Sequence, residues 1–67
     1  MAEGTVLLFN KLRGFGFILS DYREFYFKES NVKGVIFTFD QVTFDIQNTL
    51  KGQEAYNVMK MIRKRVA

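Results

Sequence analysis

The chain has 67 residues, ten basic and seven acidic, giving a formal net charge of +3, and it contains no cysteine, histidine or proline. These absences exclude disulfides and thiolate metal sites, and within this chain they exclude imidazole acid–base chemistry, Ser-His triads and His-ligated metals. One small domain near the lower size limit for folding without covalent staples remains, and no cofactor or metal is expected.

The apolar runs are short, β-branched and aromatic, and polar or glycine-bearing clusters separate them, which predicts strands and turns rather than helices. A first strand is predicted from about Gly4 to Asn10, followed by a turn through Lys11-Leu12. The second runs from about Gly14 to Leu19 and ends in a tight turn at Ser20-Asp21-Tyr22. The third covers Arg23 to Lys28, and Glu29 to Gly34 forms a connection with room for one helical turn. The fourth covers Phe39 to Gln47, Asn48 to Gly52 is a polar loop, and the fifth runs from Ala55 to Ile62. Lys60, Arg63, Lys64 and Arg65 carry four of the ten positive charges, leaving six basic residues against seven acidic ones elsewhere. The chain therefore divides into a domain over residues 1–62 and a short basic tail over residues 63–67.

Five short strands in so small a chain must close on themselves to bury a shared face and hide their edges, so the fold class is all-β and the architecture a small antiparallel barrel. Side chains alternate between the two faces of a strand. Phe25 and Phe27 then fall on one side of the third strand, with Glu24, Tyr26 and Lys28 on the other. Val42, Phe44 and Ile46 face inward from the fourth strand, and Val6 and Ile18 are their core partners. Near the C-terminus Val58 and Ile62 are expected inside, with Met59 or Met61 covering the barrel's edge.

The segment Arg13-Gly14-Phe15-Gly16-Phe17-Ile18 alternates glycine with phenylalanine. If extended, it sets Phe15 and Phe17 side by side with only glycines behind them. A strand interior that tolerates two glycines implies a compensation, such as close approach of another backbone or an open aromatic shelf. Filling the core is the commoner fate of a phenylalanine. Here, however, a hairpin about Ser20 to Tyr22 would add Tyr26 and Lys28 to the same outer face, giving three rings with Arg13 at one end and Lys28 at the other. Stacking on a protein ring contributes about 1–3 kcal/mol per base for any base, and cations at the rim attract phosphates.

In these residues the sequence resembles the cold shock domain, an OB-fold module of bacterial cold shock proteins. Glu3-Gly4-Thr5-Val6 and Phe9-Asn10 are similar to that family's opening strand, and Arg13 to Ile18 to its first RNA-binding signature, K-G-[FY]-G-F-I. Glu24-Phe25-Tyr26-Phe27-Lys28 stands where the second signature, D-V-F-V-H, is expected. Gly52-Gln53-Glu54-Ala55-Tyr56-Asn57-Val58 resembles the closing G-P-Q-A-x-N-V. The resemblance spans nearly the whole chain, in order. It implies a five-stranded OB-fold barrel with Phe15, Phe17 and Tyr26 at base-stacking positions and Arg13 at a phosphate-contacting one. Phe9, Lys28 and Lys51, the last in the loop before the final strand, complete the implied nucleic-acid-binding set together with Leu8 and Phe37.

The departures from the pattern concern that same surface. The family's first-strand tryptophan is Leu8 here, and its neighbouring lysine is Leu7. Lys28 replaces the signature histidine and Glu29 the phenylalanine after it, exchanging a ring for a repelling charge. Phe37 stands in for the aromatic of a loop that is shorter than usual. Tyr56 occupies a position where the family has a small residue, so it either widens the core or adds an exposed ring. Weaker and more salt-sensitive binding than a typical member shows is expected. Sequence preference should be shallow, because no bidentate pair is placed for base-edge reading.

The implied function is RNA-chaperone-like binding of single-stranded RNA or DNA by a monomer. The alternative is a degenerate barrel whose Leu7, Leu8 and aromatic shelf form a protein-interaction or homodimer surface. An enzyme is not expected, because Glu24, Asp40 and Asp45 are scattered over different elements. Nor is a small-molecule substrate. No run approaches the roughly 20 apolar residues that span a bilayer, and Met1 to Gly4 lacks the layout of a signal peptide, so no membrane partner and a cytoplasmic location are expected.

Overall fold

Closure of the barrel depends on where each strand finds a partner. The computed structural model describes residues 1–62. The strands are β1 (Ala2–Asn10), β2 (Phe15–Ser20), β3 (Arg23–Lys28), β4 (Val32–Lys33), β5 (Gln41–Thr49) and β6 (Gly52–Lys60). A single 3-10 turn, Glu29–Asn31, leads into the two-residue β4. The order along the sheet is β3-β2-β1-β5-β6-β4, and pairing of β3 with β6 closes it. Most pairings are antiparallel; β3–β6 and β4–β6 are parallel. The result is the expected all-β barrel, with β4 as a minor addition to the five principal strands. The predicted basic tail at residues 63–67 lies outside the described residues.

The alternation read in β3 holds, since Phe25 and Phe27 are buried while Glu24, Tyr26 and Lys28 are exposed. Val6, Ile18, Val42, Phe44 and Val58 join them in the core, and the long connection before β5 contributes Ile36. The β2–β3 hairpin turns through Asp21 and Tyr22, both at positive φ (52° and 64°), as a type I′ two-residue turn requires.

Four expectations are corrected. Phe39 does not begin a strand: it sits at φ 73° in a turn, where its N–H donates to the Val6 carbonyl while the Val6 N–H donates to that of Asp40. The chain thus ties these residues to the middle of β1 before β5 starts at Gln41. Ile46 opposes the buried Ala55, on the inner side, yet it is 42% exposed, because the β5–β6 hairpin runs past the end of the core. The polar loop shrinks accordingly to a turn at Leu50-Lys51. Ile62 is exposed rather than packed, since β6 ends at Lys60 and the Met61 N–H makes the last tie, to the Gln41 carbonyl.

Candidate nucleic-acid interface

Opposite residues on paired strands share a face, so the register builds the outer surface directly. Leu8 faces Phe17, which faces Tyr26; one step along, Asn10 faces Phe15, which faces Lys28. Simple alternation would have put Leu8 on the same side as the buried Val6. A β-bulge prevents this: Val6 pairs with Ile18 but Leu8 with Phe17, so β1 spends one extra residue, Leu7, at that step. The bulge turns Leu8 outward, 47% exposed, and turns Phe9 inward onto Phe27, with ring centroids 5.3 Å apart.

Gly16 explains the glycine–phenylalanine alternation. It lies between Phe9 and Phe27 on the inner side, and a Cβ there would collide with the Phe27 ring and the Leu8 carbonyl oxygen. Absence of a side chain lets the core ring press against the β2 backbone from inside, while Phe15 and Phe17 project from its outside. Gly14 has a different task. At φ 73° it completes the turn after β1, accepting from the Glu29 N–H and donating to the Asn10 carbonyl. Asn10 also fixes Arg13, whose N–H donates to its Oδ1 at 3.1 Å.

The three rings meet. Phe15 and Tyr26 lie 6.0 Å apart with planes 23° from parallel, and Phe17 stands edge-on to both, at 6.0 and 5.9 Å. Phe15 and Phe17 are half-buried and Tyr26 is exposed, so the trio is neither enclosed by the core nor covered by any described residue. Arg13 and Lys28 are exposed at the Phe15 end and have no ion-pair partner among the described residues. Glu29 follows directly, leaving the rim mixed in sign.

Lys51 does not join this group. It sits in the β5–β6 turn, and the pairing of Tyr26 with Glu54 sets that turn beyond the Glu24 end of β3, away from Arg13 and Lys28. Phe37 and Phe9 belong to a second feature, an open groove of about 480 Å³ lined by Leu8, Phe9, Lys11, Leu12 and Phe37 among others. Phe37 is 56% exposed, and its N–H donates to Asp40 Oδ2. Lys11 is the residue that sequence reasoning missed, treating it only as part of a turn. Its Nζ stands 4.7 Å from the Phe37 ring centroid and 5.8 Å from that of Phe9, within cation–π range of both. No local spacing could reveal a contact between two segments so far apart in sequence. Tyr56, left open by the sequence, is an outward ring at the surface.

A model of the 'Cold-shock' DNA-binding domain matches residues 2–61. The chain belongs to the cold-shock domain family. This is a family of nucleic-acid-binding domains, and the matched span contains the whole aromatic surface just described. No curated protein matches the chain. Among solved structures, "drosophila Unr CSD456" superposes with a TM-score of 0.76 at 20% sequence identity. The alignment covers 98% of this chain and 29% of that one, so this domain spans less than a third of that chain's length. At that identity the likeness concerns the fold. Among the described residues no helix is long and apolar enough to cross a membrane.

Proposed function

We propose that this cold-shock domain binds single-stranded RNA or DNA by stacking bases on Phe15, Phe17 and Tyr26, with Arg13 and Lys28 drawing the phosphates. The observation that carries the reading is the juxtaposition of those three solvent-facing rings within 5.9–6.0 Å of one another on a single sheet face. Bases in a duplex are already stacked on each other, so such a shelf favours single strands. Because every base has a π-face, the binding is tolerant of sequence, and Leu8 and Phe37 add apolar contact at the margin. Lys51 serves a strand that continues past the Glu24 end. Differential affinity for unpaired strands shifts the pairing equilibrium by mass action, which is an RNA-chaperone activity without energy input.

The test is a fluorescence-anisotropy titration of labelled oligothymidine and a mixed-sequence RNA at two salt concentrations. Binding that weakens with salt and is lost in Phe15→Ala/Phe17→Ala supports the proposal. Indifference to that double change, together with a dimer in solution, would support an interface role for the apolar surface instead.

A further inference from the structure

Beyond the closing edge of the shelf, on β6, lies a recess lined by Ser30, Asn31, Lys33, Tyr56 and Asn57, with an open volume of about 330 Å³. Its position follows from register. Tyr26 pairs with Glu54 and Phe27 with Ala55, so Tyr56 falls level with Lys28, on the outer side that Tyr26 occupies. Tyr56 is therefore one strand beyond Lys28 and two beyond Phe15, or roughly 10 Å from the Phe15 backbone at the usual strand spacing.

Asn57, one of the residues lining the recess, also carries an unmet polar group. Between Thr43 and Asp45, β6 spends an extra residue, and Asn57 adopts φ 55° there. Its Nδ2 donates to Asp45 Oδ2 at 3.2 Å. An ionised carboxylate only accepts hydrogen bonds, so the amide's orientation is fixed and Oδ1 is the atom left over. That Oδ1 is buried and has no partner among the described residues, an arrangement that costs free energy.

We infer that the Tyr56 recess is an additional nucleotide subsite, continuing the stacking track across β3 onto β6. The inference rests on the stacking reading proposed above. Tyr56, 37% exposed, offers a ring face to one base. Asn57 lines the same recess, so its side-chain amide reports on whatever enters it. Lys33, exposed at the recess, takes the adjoining phosphate. The ring is this chain's own feature, standing where the cold shock pattern has a small residue.

The test is anisotropy with oligothymidines lengthened one nucleotide at a time, on the wild type, Tyr56→Phe and Tyr56→Ala. Wild type and Tyr56→Phe gain affinity at the length that reaches the recess, and an abasic terminal nucleotide loses that gain. Tyr56→Ala loses it too, a fall of roughly five- to 150-fold for the longer strand if the ring contributes what a stacked base usually does. Shorter strands bind all three alike. In parallel, the wild-type Tyr56 ring and Asn57 side-chain amide resonances shift with the longer strand and stay put with the shorter, a readout that needs no variant. Unchanged long-strand affinity in Tyr56→Ala, or unmoved resonances, overturns the subsite while leaving the main shelf standing. Binding that survives Phe15→Ala/Phe17→Ala overturns the shelf itself.

Discussion

Replacing Gly16 with alanine tests whether the shelf is braced from beneath. The added Cβ would lie 2.7 Å from Phe27 Cε1 and closer still to Phe27 Cζ and the Leu8 carbonyl oxygen. Carbon atoms pack best at about 3.5–4.0 Å, so something must move by roughly 1 Å. Neither neighbour is free to do so, because Phe27 is fully buried against Phe9 and the Leu8 oxygen belongs to the β1 backbone. Overpacking of this kind costs about 1–3 kcal/mol. An unstrained Gly→Ala change does the opposite, stabilising by about 0.4–1 kcal/mol through the unfolded chain, so the sign alone is informative. At about 4–8 °C per kcal/mol for a domain of this size, the melting temperature should fall by roughly 4–24 °C. Thermal and urea unfolding followed by far-UV circular dichroism measure it. A variant as stable as the wild type, or more stable, would refute the account of why glycine and phenylalanine alternate in β2.

Gly14→Ala should behave differently: among the described residues only the Glu29 Cβ, at 3.8 Å, lies near its absent side chain, so the cost is that of the left-handed backbone, about 1–2 kcal/mol in urea unfolding. Leu8→Trp restores a stacking plane beside Phe17 and should tighten oligothymidine binding roughly five- to 150-fold, with the gain absent if bases do not reach β1. Glu29→Gln removes a repelling charge next to Lys28. Its affinity gain should reach up to about fivefold at low salt and fade at high salt, as an exposed charge requires, and a gain insensitive to salt would contradict the electrostatic reading.

Much of this arrangement was legible in the chain because period-2 alternation fixes facing wherever strands are regular. That alternation places Phe25, Phe27, Val42 and Phe44 in the core, where Val6 and Ile18 are their partners from the first two strands. The hairpin turn visible in Ser20-Asp21-Tyr22 puts Phe15, Phe17 and Tyr26 on one outer face, and the cold shock resemblance assigns that face to base stacking. What escaped were the irregularities. The bulge at Leu7 shifts the phase of β1, and no residue type announces it. Asn57 carried a faint signal, since asparagine tolerates left-handed backbone better than most residues, but Phe39 carried none. Ile46 faces the predicted way and is still wet, because alternation gives direction and not the length of the core. The Lys11–Phe37 contact joins residues distant in sequence and became visible only with the barrel closed.

The central claim is that bases lie on the three rings of β2 and β3. Proton NMR of the aromatic side chains during titration with oligothymidine tests it most directly. Ring-current shifts of Phe15, Phe17 and Tyr26 that saturate together with the anisotropy signal are the predicted result. Saturation accompanied by unmoved resonances at all three rings, with changes confined to residues 63–67 or to the groove around Phe37, would contradict it.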